Sequence, residues 1–364
     1  MKIIGGKVFK GGIFKDEPLY IKDGIITDTD PADGEVVDAK KAYVIPGLVD
    51  IHSHGAVGHD FCDADVEGLK KITEYERSVG VTSYCPTSMT FDEDKLAKVF
   101  ATAKAYKKSP ESARVVGINM EGPFIAPEKK GAQNGKYIKA PDVDMFERLN
   151  EVSGGLIKLT TIAPERPNAL EFIKKLSGKA VMSIGHTTSD YDTAMKAIEA
   201  GADHVTHLCN AMPPLNHREP GVIGAAADNK NVYVELICDG IHIHYSMIRR
   251  IYEMFGADRI CLISDSMEAT GMPDGDYALG GQKVIKKGRH ATLTDGTLAG
   301  SASNLFDCVR CAVEAGIPLE DAIKMATINP AKSIGVDDKV GSLEAGRYGD
   351  VLIVNDKLKI EKII

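Results

Sequence analysis

The chain has 364 residues, 43% apolar and 26% charged, which suffices for one large barrel with a small satellite and excludes neither. A formal net charge of −8 argues against nonspecific nucleic-acid binding, so an anionic ligand would need a local cationic pocket. Met1-Lys2-Ile3-Ile4 runs into Gly5-Gly6 with no long apolar stretch, so neither leader nor membrane span is expected, and seven scattered cysteines favour reduced thiols and a cytoplasmic location.

Residues 1–44 read as short strands, Lys2-Ile3-Ile4, Lys7-Val8-Phe9, Pro18–Lys22 and Gly24–Thr27, with Gly11-Gly12 and Asp23-Gly24 as turns. Residues 336–364 add Val340–Leu343 and Asp350–Val354. Chain termini often lie close together, so these two regions are expected to form one small β-sandwich-like domain split around residues 45–335. Within 45–335, apolar runs alternate with helical stretches, the pattern of a parallel α/β sheet. Eight candidate strands follow in order: Tyr43–Ile51, Val81–Pro86, Arg114–Met120, Leu156–Ile162, Ala180–Ile184, His204–Leu208, Val232–Cys238 and Arg259–Ser264. Helices are expected at Asp65–Val79, Asp92–Lys107, Tyr191–Ala200 and Ser246–Phe255, among others. Eight such units imply a closed (β/α)8 TIM-type barrel. Asp274–Leu298 reads as a turn-rich excursion, and Cys308 and Cys311 share one face of a helix over Asn304–Ala315, where core packing is the expected role.

The polar residues fall at the carboxyl ends of these strands, the face where barrel sites are built. His52-Ser53-His54 ends the first strand, and residues two apart on a strand point to the same side, so both imidazoles can face one ion. Glu121 ends the third strand, His186 the fifth, His207 the sixth and Asp265 the eighth, while His242 lies just past the seventh. One strand-end histidine is commonly structural; the joint pattern points to a metal centre.

Pro46-Gly47-Leu48-Val49-Asp50-Ile51-His52-Ser53-His54-Gly55 resembles the strand-one signature of the amidohydrolase superfamily. Asn119-Met120-Glu121-Gly122-Pro123-Phe124 resembles its N-acetylglucosamine-6-phosphate deacetylases. Gly185-His186-Thr187, Thr206–Met212, Arg218-Glu219-Pro220-Gly221, Asp239–His242, Ser264-Asp265 with Ala269-Thr270-Gly271, and Leu298–Ser301 extend the likeness along nearly the whole chain. The resemblance implies a divalent metal ion, one or two per subunit, with zinc or iron first among the ions that His and carboxylate donors accept. Glu121, His186 and His207 would form one site; His52 and His54 would hold a second ion, with Glu121 bridging. Asp265 would act both as a metal ligand and as general base, then acid, in deacetylation of a sugar phosphate by a metal-activated water. Gln133 occupies the place where some relatives carry a carbonyl-contacting histidine; it would donate from its amide, or be a plain polar loop residue. Arg218, His242, Asn210 and Ala211 would hold the phosphate, with Leu298 beside the substrate, and Arg218 would come from the neighbouring subunit of a homodimer. A cyclic-amide hydrolase would carry a carboxylated lysine on strand four; Leu159-Thr160-Thr161-Ile162 has none, although Lys158 is nearby, and a nonenzymatic metal-binding scaffold is the remaining alternative. No role is assigned to His59, His204, His217, His244 or His290.

Overall fold

Eight parallel strands close into a ring in the computed structural model, which describes residues 1–364. They are β1 (Leu48–Ser53), β2 (Val81–Ser88), β3 (Ile118–Glu121), β4 (Ile157–Ile162), β5 (Val181–Ile184), β6 (His204–Val205), β7 (Tyr233–Ile237) and β8 (Ile260–Ile263). Each pairs with the next, and the ring closes where the Asp265 N–H donates to the His52 carbonyl at 2.9 Å. A helix follows every strand: α1 (Val66–Ser78), α2 (Glu93–Ala105), α3 (Val143–Ser153), α4 (Ala169–Leu176), α5 (Tyr191–Ala200), α6 (Gly221–Asp228), α7 (Tyr245–Phe255) and α8 (Leu305–Glu314). Asp65, Asp92, Asp142, Asp190 and Asn304 start five of these helices by accepting from their first-turn N–H groups.

Inside the ring, Val49, Ile51, Leu159, Ile237, Cys261 and Ile263 pack in one apolar cluster with Ala331, Ile334 and Val340. The last three come from the chain after α8, where two short helices, Leu319–Met325 and Ile328–Ser333, reach the strand starts. The Val49 N–H donates to the Ala326 carbonyl at 3.0 Å, and the Asn329 amide donates to the Ile260 carbonyl at 2.8 Å. The amino-terminal end of the barrel is thereby plugged, and only the carboxyl end is left for a pocket. Cys308 and Cys311 lie buried on α8 as free thiols. No helix is long and apolar enough to cross a membrane.

Both chain ends form two facing sheets beside the barrel. One orders Ile25–Thr27, Leu19–Lys22, Lys2–Ile4 and Val36–Asp38; the other orders Ile360–Ile363, Val351–Val354, Tyr43–Pro46, Lys7–Lys10 and Ile13–Lys15. Ile3, Val8, Leu19, Ile26, Val44 and Ile353 fill the space between them.

Four expectations need correction. The run Tyr43–Ile51 is two strands, one in the satellite sheet and one in the barrel, separated at Gly47. Val340–Leu343 is not a strand: Gly341 adopts φ 85°, and Val340 and Leu343 reach two different cores from a loop. Asp274–Leu298 holds a three-stranded antiparallel sheet, Gly275–Leu279, Gln282–Lys287 and His290–Leu293, turning at Gly280-Gly281 and at Gly288. Paired structure in β6 stops at Val205 because His207, Cys209 and Ala211 all take left-handed backbone conformations.

Gly47 is the point of passage, and its N–H donates to the Asp350 carbonyl at 2.9 Å. A Cβ there would lie 2.1 Å from Thr82 Oγ1 and 2.4 Å from its Cγ2. We expect Gly47→Ala to cost about 1–3 kcal/mol of stability through this overlap. Denaturant unfolding should detect the loss, and combining it with Thr82→Ala should recover part of it.

Candidate metal centre and substrate pocket

The strand ends converge on one carboxylate. Glu121, the last residue of β3, presents Oε1 to His207 Nε2 at 3.0 Å, His186 Nε2 at 3.2 Å and His52 Nε2 at 3.4 Å, and Oε2 to His54 Nε2 at 3.4 Å. Asp265 Oδ1 stands 3.3 Å from His54 Nε2 and 3.6 Å from His52 Nε2. All six side chains are buried. Local backbone aims them: His186, His207 and Asp265 each follow their strand by two residues and have φ of 46°, 29° and 48°. Left-handed backbone is unusual for residues with a Cβ and turns these side chains off the strand direction toward the barrel axis. Gly185 permits the approach at β5, since a Cβ there would meet Thr206 Cβ at 2.6 Å.

Two triplets have their ligand atoms mutually within 4.8 Å: His52, His54 and Asp265, and Glu121, His186 and His207. Several features fit a divalent cation. His186 Nδ1 faces the Lys129 carbonyl at 2.7 Å and His54 Nδ1 faces the Thr87 carbonyl at 3.2 Å, so each carries its proton on Nδ1 and directs the Nε2 lone pair inward. His186 Nε2 and His207 Nε2 point at each other across 3.0 Å, and buried His52 Nε2 hydrogen-bonds to neither neighbouring carboxylate. Burial would raise the Glu121 pKa, but the charges and hydrogen bonds of His52, His186 and His207 hold it well below the usual carboxylate range. Asp265 is likewise lowered, burial being outweighed by its hydrogen bond to His54 and the neighbouring imidazoles. His52 moves the opposite way, raised by Glu235 and Glu121 against the effect of burial. Acids held ionised around lone pairs that converge make a cavity that calls for positive charge, with a donor set of imidazole and carboxylate suited to a transition metal.

A cavity of about 370 Å³ opens above this floor. His54, Glu121, Gln133, His186, His207 and Asp265 line its base, while His52 lies beneath them, fully buried. Gln133 is fixed at both ends: Nε2 donates to Glu121 Oε2 at 2.5 Å, and Oε1 accepts the Thr90 N–H at 2.6 Å. Asn210, Ala211, His242 and Leu298 lie on the walls. His242 Nδ1 bonds Asp239 Oδ2 at 2.8 Å, and the Asp239 charge, against burial, raises the imidazole pKa. The Asn210 amide donates to the His207 and Leu208 carbonyls, leaving the Ala211 N–H as a donor without an acceptor in the chain. Arg218 is not brought to this cavity. It is exposed, makes no ion pair within the chain, and lies in a separate cleft of about 720 Å³ with Asn216, Tyr191 and Asp228.

Two residues of the site went unassigned at the level of sequence. Lys129 is the one lysine lining the cavity, next to Glu128. Its signal was faint, a charged loop Glu128-Lys129-Lys130 shortly before Gln133. Glu235 sits beneath the centre, fully buried, with Oε2 2.8 Å from His52 Nδ1. A single acid inside the otherwise apolar run Val232–Cys238 was the available sign.

The chain matches the sequence profile of the Amidohydrolase family over residues 43–364. It is 36% identical over 365 residues to the N-acetylglucosamine-6-phosphate deacetylase of Bacillus subtilis, covering 97% of this chain and 92% of that protein. It is 33% identical to the N-acetylgalactosamine-6-phosphate deacetylase of Escherichia coli O157:H7, covering 97% of this chain and 94% of that one. In three dimensions it superimposes with a TM-score of 0.93 and 30% identity on a mutant N-acetyl-D-glucosamine-6-phosphate deacetylase of Mycobacterium smegmatis in complex with N-acetyl-D-glucosamine-6-phosphate, covering 100% of this chain and 97% of that chain. A barrel with its ligands at the strand ends, matched along nearly its whole length, is therefore no fold-level coincidence: the protein belongs to the amidohydrolase family.

Proposed function

We propose that the protein is a metal-dependent deacetylase that converts N-acetyl-D-glucosamine 6-phosphate to D-glucosamine 6-phosphate and acetate, in amino-sugar catabolism. The observation that carries the reading is Asp265, placed in one ligand triplet, within reach of the other, and at the base of a cavity sized for a sugar phosphate. Seven free cysteines support a cytoplasmic enzyme.

Glu121, His186 and His207 would hold one divalent ion, and His52, His54 and Asp265 a second, zinc or iron suiting the histidine-rich set. A divalent ion there supplies a water of pKa near ~7 and polarises a carbonyl oxygen. The Asp265 carboxylate accepts the proton of the attacking water as the oxygen–carbon bond forms. It returns that proton to nitrogen as the carbon–nitrogen bond breaks, so the amine leaves neutral and the acetyl group leaves as acetic acid, which ionises to acetate and gives its proton to solvent. Gln133 has one amide N–H not committed to Glu121, and we assign it to the acetyl oxygen. His242, the Ala211 N–H, the turn at Asn210 and Lys129 would hold the phosphate, with Leu298 against the sugar. Arg218, exposed and unpaired, would reach the site of a second subunit in a homodimer.

The deciding assay is acetate release from N-acetylglucosamine 6-phosphate, its C4 epimer and unphosphorylated N-acetylglucosamine, before and after chelation and metal return. The phosphorylated glucosamine derivative should have the highest kcat/KM, and equal values with and without phosphate would remove the phosphate pocket from consideration.

Compared at matched metal content, because Asp265 is also a ligand, Asp265→Asn should lower kcat by about 10²–10⁴-fold with KM nearly unchanged. Mixing that variant with Arg218→Ala should restore activity at low substrate if subunits share sites, because one site of each mixed dimer then has both residues.

For His242, the sign follows from Asp239. A raised pKa keeps the imidazolium present above pH 6.5, so phosphate binding persists there. Asp239→Asn removes that support, and KM should then climb as pH passes through about 6.5. Superimposable KM–pH profiles for the two proteins would rule out a charged His242 as a phosphate contact.

A further inference from the structure

Besides Glu121 and Asp265, the barrel interior holds another buried acid close to the centre, and neither of its oxygens belongs to the two ligand triplets. Glu235, in the middle of β7, has no solvent exposure. Its Oε2 accepts twice, from His52 Nδ1 at 2.8 Å and from the His207 backbone N–H at 3.0 Å. Oε1 has no hydrogen-bond partner, and the next imidazole, His204 Nδ1, is 4.0 Å away. Burial pushes the His204 pKa down to about 4, so that ring brings no positive charge. A buried carboxylate with one bare oxygen is stable only with strong positive charge nearby, and the sole structure in reach that can concentrate it is the ligand cluster directly above.

The two donors on Oε2 belong to different triplets. His52 goes with His54 and Asp265; His207 goes with Glu121 and His186. His207 also has φ 29°, a strained backbone conformation that needs an external restraint, and the hydrogen bond to its N–H is one.

We propose that Glu235 is the positioning residue that joins the two triplets into one binuclear centre, orienting the His52 ring so that Nε2 faces inward and pinning the turn that presents His207. This rests on the metal-dependent reading above. A single oxygen then sets the spacing of both positions, so weakening it loosens both together.

Zinc affinity provides the test, measured by competition with a chromophoric chelator on the wild-type protein, Glu235→Gln and Glu235→Asp, alongside thermal melts of the holo and chelator-treated forms. Glutamine keeps the size but offers only one accepting oxygen and no charge; aspartate keeps the charge but is too short to reach both donors. Glu235→Gln should bind zinc about 10–100-fold more weakly, with loss at both positions. Glu235→Asp should recover part of that affinity. Chelator-treated wild type and Glu235→Gln should melt together, while their holo forms separate, and kcat should fall with KM held. Wild-type zinc affinity in either variant overturns the proposal. So does an equal loss of melting temperature with and without metal, which would mark a packing role only. If Glu235→Gln does not fold, Glu235→Asp carries the measurement by the same criteria. Because zinc binding is read without substrate, a wild-type protein that binds zinc but releases no acetate would count against the proposed function and not against this assignment.

Discussion

The carboxylate of Glu121 meets imidazoles delivered from β1, β5 and β6, at distances of 3.0–3.4 Å. Four rings and one acid from four separate chain segments reach a common point only if those segments are held in a ring of fixed register. The parallel ladder, the closure from Asp265 N–H to His52 C=O and the plug beneath serve that end. Without positive charge at this point, the inward lone pairs of His186 and His207 would face each other and the Glu121 carboxylate with nothing to offset their repulsion. Without the rings, Glu121 would be an isolated buried charge, which no barrel core of this kind tolerates.

Rigidity and strain are divided between the two ends of the barrel. The plugged end is apolar and hydrogen-bonded, and its side chains belong to ordinary close-packed cores. The open end carries non-glycine residues in left-handed conformations at His186, His207, Cys209, Ala211 and Asp265. Each such residue costs about 1–3 kcal/mol, and conformations of this kind persist only where the surroundings over-determine them. The hydrogen bond from His207 N–H to Glu235 and that from Asp265 N–H to His52 show how the restraint is applied.

Much of this is legible in the sequence alone, because strand ends announce themselves chemically. An apolar run closing on His, Glu or Asp is a side chain lifted out of a core, and His52, His54, Glu121, His186, His207 and Asp265 all obey that pattern. Helix starts were readable at Asp65, Asp92 and Asn304 for a like local reason, and the helix expected from Tyr191 has Asp190 as the cap just before it. What escaped depended on partners distant in the chain. Tyr43–Ile51 looks continuous because nothing local reveals that Pro46 pairs with Val351 while Leu48 pairs with Val81. Glu235 reads as an oddity of β7 until its contact with His52, 183 positions away, is known. Asp274–Leu298 reads as turn-rich, and the chain does turn at Gly280-Gly281 and Gly288, but short strands between turns leave little periodicity to read.

The plug under the barrel also decides traffic. With the strand starts covered by the segment around Ala331, Ile334 and Val340, the cavity lies at the opposite end of the barrel, away from the plug. In the proposed reaction the acyl fragment is cut at the floor, among the ligands, whereas the phosphorylated sugar occupies the space between that floor and the exit. The larger product then stands in the way of the smaller, and departure is sequential: the amino sugar first, acetate second. An enzyme built as a blind well would thus show acetate competing with incoming substrate for the free form, and the amino sugar phosphate acting on the acetate-bound one.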